Sequence, residues 1–328
     1  MEHLDSKDRI KESKINPYIK SIATLAIAIF AFSLVPIFYR ISESEISAEA
    51  TIFNRFWITV LILGIWRAIS QLIKTNKTVV ESKLEFSFNA TYLLLLSLGI
   101  IYLLFQLSWS QSLLSTSVAN STVLHNMTPL FIIIYECLFL RYKFEFQRWM
   151  PIVIAVIGIF MLGSNDFYLT KDKLIGDFLA LLSALFNAFY LLISEKIQKH
   201  FDIVFILIAM SIIGTTIAFI ILLIEHKPLF PISFYGWLSV VAVAILSQII
   251  GNAFLILSLD VFSPYFVALF LLLDPILSSI EAWIFFGEKI FLFQGLSFFV
   301  IISSIVVAIN SLSKDKTEGS PNKADIFG

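Results

Sequence analysis

The chain has 328 residues, 58% hydrophobic and 14% charged, with 33 Phe and a mean hydropathy of +0.89. Soluble domains hold about 45–50% apolar and about 25% charged residues, so a water-soluble globule is excluded and an integral membrane protein implied. A formal net charge of −1, with charges confined to short clusters, offers no basic face for nucleic acid, and the single Cys137 excludes an intrachain disulfide framework or a Cys-based metal site.

Residues 1–17 mix both charge signs without a small-residue cleavage site and read as a solvated cytoplasmic tail rather than a signal peptide. Ten apolar segments follow, at 18–38, 48–70, 91–112, 117–140, 149–164, 176–194, 202–224, 236–258, 264–286 and 292–312, before a polar tail at 313–328. A helix rises about 1.5 Å per residue, so about 20 residues cross a hydrocarbon core about 30 Å thick. The runs are continuously apolar and about twice as long as barrel strands, which predicts an all-α fold of ten transmembrane helices.

Lys and Arg fix the expected orientation. With both termini in the cytoplasm, the inner side carries those of the N-terminal tail, Arg67–Lys83, Arg141–Arg148, Lys196–Lys199 and Lys314–Lys323. The outer side holds Arg40, Lys171, Lys173, Lys227 and Lys289, a strong bias in the positive-inside sense. The triplets at Asn89, Asn120 and Asn126 then fall inside or within spans and are not glycosylation sites.

The segments "PLFIIIYECLFLRYKF" from Pro129 and "PILSSIEAWIFFGEKI" from Pro275 are spaced by 146 residues, and the same offset pairs Gln106 with Asn252, Ser112 with Ser258, Thr128 with Asp274 and Lys143 with Lys289. One unit has been used twice, at 18–164 and 176–312. Each copy holds five spans, an odd number, so the second enters the membrane from the opposite side and the halves are inverted.

Ionisable groups at membrane depth need a reason, costing about 2.5–3.5 kcal/mol each at a helix centre on insertion scales. Asp274 lies mid-span, and Glu281, seven residues on, returns to the same helical face. Pro275 and Pro129 each remove a backbone donor, so both helices should kink and leave the carbonyls of Leu271 and His125 unpaired. His125 and Asp274 on facing helices suit a protonatable pair, or Asp274 binds a proton or a substrate amine with His125 or Glu281; a buried structural pair is the alternative. His125 and Glu136, 11 residues apart, are expected on one face, and Glu136 and Glu281 read as snorkelling. Arg55 either receives a substrate carboxylate or neutralises Glu281. Gln106 and Asn252 either join helices or touch substrate. Trp109 reads as an interfacial anchor, and Asp177 as an acid in the first turn of its helix at a boundary where its charge reaches headgroups or water.

The stretches "STSVANSTVLHNMTPLFIIIYECLFL", "IGDFLALLSALFNAFYLLISEKI" and "SPYFVALFLLLDPILSSIEAWIFFGEKI", with an Arg early in the second span, resemble the EamA-type branch of the drug/metabolite transporter superfamily over residues 18–312. The resemblance implies a carrier of small metabolites, often amino acids or relatives, with a cavity between the halves lined by the fourth and ninth spans. Two features depart from the pattern: the closing Gly-Glu is kept as Gly287-Glu288 but replaced by Arg141-Tyr142 in the first half, and no Trp-Gly pair stands near Phe32-Ser33.

No HExxH or CxxC spacing and no phosphate-binding glycine loop occurs, so neither an enzyme, a cofactor nor ATP coupling is expected. The expectation is a secondary transporter in the cytoplasmic membrane, exporting or importing a small molecule by alternating access and drawing on a proton or sodium gradient, on exchange or on the substrate's own gradient. The alternatives are a channel, a non-transporting membrane protein, or an exporter of lipids or hydrophobic drugs.

Overall fold

The computed structural model describes residues 17–74, 90–140, 146–163, 173–287 and 292–317. Asn89, Arg141-Tyr142, Lys143 and Glu288-Lys289 lie outside them. Nine helices among the described residues are long and apolar enough to cross a membrane: α1 (Ile19–Ser42), α2 (Ala48–Ile73), α3 (Ala90–Ser115), α4 (Asn120–Phe139), α6 (Leu174–Ile197), α7 (Ile203–Ile224), α8 (Phe234–Ser258), α9 (Pro264–Phe285) and α10 (Leu292–Asn310). The tenth, α5 (Phe146–Leu162), is apolar but shorter. Continuous apolar runs leave helices as the structure that satisfies every backbone group within its own segment, which is why the ten segments read from hydropathy became these ten helices.

Several helix ends reach past the expected bounds, as at Ser42 and Lys74. The α5 helix starts at Phe146, before the expected 149, and the last helix continues to Thr317, so the first residues of the expected tail are helical. Lys and Asp beyond the apolar run keep the backbone ladder going after the hydrophobic stripe ends, because helix continuation needs only the next hydrogen bond.

Packing is symmetric under exchange of the two halves. The α2 helix packs on its repeat partner α7, α4 on α9, and α5 on α10; α3 packs on α6 as α8 packs on α1, and on α7 as α8 does on α2. The interior holds Leu25, Ile29, Phe56, Leu98, Ile132 and Leu191, while Trp66, Leu72, Phe178 and Leu292 stay exposed on the perimeter, where lipid is the solvent.

Four spans are irregular. The α1 helix breaks at Leu34, with Pro36 inside the first turn of its second segment. The α4 helix stops at His125 and restarts at Thr128, beside Pro129. In α9 a 3-10 turn, Leu271–Leu273, precedes the segment that Asp274 and Pro275 open. In α8 a π-turn occupies Ala244–Gly251.

The kinks at Pro129 and Pro275 match expectation, but the freed carbonyls do not. The Leu271 carbonyl accepts from the Asp274 amide in the tightened turn, and the His125 carbonyl accepts from Thr128 Oγ1 at 3.2 Å. Local 3-10 bonding and a nearby hydroxyl re-satisfy what proline removed. The halves also end differently: α9 closes on Gly287 in the left-handed region (φ +66°), whereas α4 closes on Leu140 at φ −94°.

At Gly176 the start of α6 comes so close to the chain leaving α3 that an added Cβ would lie 2.6 Å from the Ser115 carbonyl carbon and the Thr116 amide nitrogen. Gly176→Ala should therefore destabilise the protein by about 1–3 kcal/mol in thermal unfolding of the detergent-purified chain. Gly64→Ala, with nothing within 4 Å, should not.

Candidate functional site

Arg55 is 2% exposed, about two turns into α2, and reaches inward because α2 buries Ile52, Phe56 and Thr59 against its neighbours. Its Nε and Nη2 donate to Gln248 Oε1 at 3.2 and 2.9 Å, and Nη1 to Gln106 Oε1 at 3.2 Å. A further Nη2 bond goes to the Tyr102 hydroxyl. The guanidinium carbon also stands 5.4 Å from the Tyr102 ring centre and 5.6 Å from that of Phe56, within cation–π range.

The network extends across both halves. Asn252 Nδ2 donates to the Tyr102 hydroxyl at 2.8 Å and to Gln248 Oε1 at 3.0 Å, and Asn252 Oδ1 accepts from the Tyr190 hydroxyl at 2.8 Å. Gln248 Nε2 points to Ser211 Oγ at 3.4 Å. Five helices thus converge on one cation: α2, α3, α6, α7 and α8. The buried Tyr39 of α1 also lies near the guanidinium.

Every one of these partners is neutral. Among the described residues no carboxylate forms an ion pair with Arg55, so the expected Arg55–Glu281 pair is not made. Glu281 instead accepts from Ser33 Oγ at 2.8 Å, because α1 is the helix packed against this part of α9. Gln106 and Asn252, which the repeat pairs, do meet in one interhelical network.

The His125–Asp274 pair is likewise not formed. The break after His125 sends its ring to α3 and α6: it hydrogen-bonds Ser183 Oγ at 2.8 Å, stacks on Phe105 with centres 5.4 Å apart, and meets Trp109 at 6.0 Å. Trp109 is therefore an interior neighbour of His125 and Tyr39 rather than a surface anchor. Thr128 donates to the His125 carbonyl and accepts from Asn187 Nδ2 at 3.3 Å.

Beyond the break, Glu136 faces α5 and pairs with Arg148 at 3.4 Å, so the single face expected for His125 and Glu136 is interrupted. Neither Glu136 nor Glu281 snorkels; both are buried. Asp177 is buried too, not open to headgroups or water: in the first turn of α6, its Oδ1 accepts from Thr116 Oγ1 at 2.7 Å and Asn120 Nδ2 at 2.9 Å.

Tyr102, Tyr190 and Gln248 were not among the residues singled out from the sequence. A signal existed: the 146-residue offset that pairs Gln106 with Asn252 also pairs Tyr102 with Gln248, one helical turn earlier in each half.

The loop 43–47 fastens the two halves at one end of the bundle. Glu45 Oε2 accepts from the amides of Ile232 and Ser233, both at 3.0 Å, and Oε1 from the Ser233 hydroxyl, so a residue of the first half caps α8 of the second. Lys227 bridges Glu225 at 2.8 Å and Glu49 at 3.0 Å, and Asn54 donates to the Leu229 carbonyl at 2.7 Å. Phe230 stacks on Trp237 and meets Trp57 edge-on.

The Ser233 hydroxyl and amide, with the Ile232 amide, hold the Glu45 carboxyl below its ordinary value, while Glu225 and then Glu49 raise Lys227. A lowered acid contributes fully above its ordinary value, about 4.3, and fails as pH falls through the lowered one; a raised Lys contributes fully below about 10.4 and fails above it. Hydrogen exchange at Ile232 and Ser233 should thus stay slow from mild acid to mild alkali. Glu45→Ala should speed it at neutral pH, and unchanged exchange would show that the cap does not hold this end.

The profile of the EamA-like transporter family matches residues 19–164 and again 174–310. An uncharacterized transporter of Methanothermobacter thermautotrophicus is 24% identical over 236 residues, which are 69% of this chain and 67% of that protein. One solved crystal structure superposes with a TM-score of 0.71 at 13% identity, covering 88% of this chain and 96% of the other, a likeness of fold alone. With the family pattern present in both halves and a buried polar centre between them, this chain belongs to the EamA-like transporter family, a family of multi-pass membrane transporters.

Proposed function

We propose that the protein is a secondary carrier that moves a small metabolite bearing an anionic group, an amino acid or a related carboxylate, across the cytoplasmic membrane by alternating access. The observation that carries this reading is Arg55, buried among neutral oxygens and aromatic faces with no carboxylate beside it. A guanidinium at this depth is only partly compensated by neutral acceptors, and its planar fork matches a carboxylate in two parallel bonds.

Arg55, Tyr102 and Gln106 belong to the first half, and Tyr190, Ser211, Gln248 and Asn252 to the second. Rocking of residues 18–164 against 176–312 has to exchange the bonds between these groups. An anion on Arg55 replaces the amide oxygens it releases, so bound substrate lowers the barrier to the exchange. Opening at the Glu45 end requires loss of the α8 cap. The distribution of Lys and Arg supports cytoplasmic termini and an external Glu45 end.

Thermal unfolding of the detergent-purified protein against amino acids, organic acids, sugars, nucleosides and polyamines tests the substrate class. A ligand at about 100 times its Kd should stabilise by about 2.7 kcal/mol. Carboxylates should shift the transition saturably, and Gln248→Glu, which gives Arg55 an internal carboxylate, should abolish the shift while leaving the fold intact. A shift from polyamines alone, or one that survives Gln248→Glu, would refute the role of Arg55. Counterflow of the hit in proteoliposomes separates a carrier from a channel.

A further inference from the structure

A second polar site lies where two broken helices meet. The α1 helix breaks at Leu34, directly after Ser33, and α9 breaks at Leu271–Leu273, directly before Asp274. Ser33 Oγ donates to Glu281 Oε1 at 2.8 Å, and Ser278 Oγ donates to the Ser33 carbonyl at 3.1 Å, tying the two helices together. Glu281 is 8% exposed, and its Oε2 has no hydrogen-bond partner; Asp274 Oδ1 is also buried without one.

Among the described residues no Lys, Arg or His forms an ion pair with Asp274 or Glu281. The helices packed on α9 are α1, α4, α6 and α10. Of their titratable groups, His125 on α4 is bound to Ser183, Glu136 on α4 to Arg148, and Tyr190 on α6 to Asn252. Arg55 is held by Gln106, Gln248 and Tyr102.

Two carboxyls seven residues apart on one face of α9, each with a buried oxygen that has no partner, lack something positive. We propose that Asp274 and Glu281 form a proton-binding site between α1 and α9, separate from the Arg55 cluster, through which a proton gradient drives transport. A proton removes one charge and turns an orphan acceptor into a donor. The nearby hydroxyls of Ser33, Ser278 and Ser279 already donate to protein oxygens, which suits a proton better than a metal cation that needs a cage of acceptors.

The fold links this site to Arg55. Phe32, adjacent to Ser33, fills the space over Gly251, where an added Cβ would lie 2.5 Å from its ring, and Gly251 adjoins Asn252 in the Arg55 network. Tyr39, six residues beyond Ser33 on α1, lies near the guanidinium itself. Protonation of Glu281 weakens its hold on Ser33, and the freed α1 moves against α8 and the partners of Arg55. The purpose of the site rests on the carrier reading; its proton chemistry does not.

Infrared spectroscopy of the purified full chain in nanodiscs, titrated over pH, reads the site without a substrate. The chain holds 24 Asp and Glu, so the reading is confined to the high-frequency carbonyl band of carboxylic acids shielded from water, which should grow as pH falls; Asp274→Asn and Glu281→Gln should each remove part of it and the double variant the sum of the two. Labelling Asp alone or Glu alone with carbon-13 gives the same assignment should a variant fail to fold. No titrating band, or one indifferent to both residues and both labels, overturns the proposal. So does loss of the band when sodium replaces potassium at fixed pH, which would make sodium the ion. A failed ligand panel leaves this readout untouched, and a missing band leaves the Arg55 reading standing.

Discussion

A guanidinium cannot be left bare at membrane depth, and the centre of this protein is organised by that constraint. Arg55 needs several acceptors at once, and no single helix supplies them. Gln106 and Tyr102 come from α3 and Gln248 from α8, with Asn252 and Tyr190 holding those groups in place. Because helices gain little hydrophobic free energy from packing on one another in lipid, close contact and buried polar bonds carry the association. Few of the helices around Arg55 can be displaced without changing its ligands.

Duplication supplies the frame. The symmetric pairing of α2 with α7, α4 with α9 and α5 with α10 follows from two copies of one five-helix unit facing opposite ways. Chemistry then departs from the symmetry. Thr128 and Asp274 occupy equivalent positions, yet the first bonds a neutral Asn187 and the second keeps a buried oxygen without a partner. The second half ends α9 on a left-handed glycine, and the first ends α4 without one. An even scaffold with uneven polar content confines the ionisable groups to particular joints of the bundle.

Most of the fold was legible because hydropathy and the 146-residue offset are properties of the chain itself. The ten segments, the proline breaks in α4 and α9 and the repeat relation of Gln106 to Asn252 could all be read that way. Partner choice could not. Whether Arg55 meets Glu281 or Gln248 depends on which helix lies beside α2, and whether His125 reaches Asp274 depends on how the break after His125 turns its ring. The α1 break had a local signal in Pro36 that was passed over, since the run around it is uniformly apolar. The Glu45 cap on α8 joins residues almost 190 positions apart, a pairing that no local pattern announces.

The π-turn in α8 adds a point about register. A π-turn holds one residue more than the α-turn it replaces, so Ala244–Gly251 carries a surplus residue that regular pitch would expel. Gln248 stands inside this surplus. A chain shortened by one residue there would form a regular helix, but the residues within the stretch, Gln248 among them, would turn relative to the flanking segments. Asn252 and Gln248 could then no longer both face Tyr102 and Arg55. The irregularity in α8 is thus part of the Arg55 cluster's address, and the length of this stretch is as constrained as its side chains.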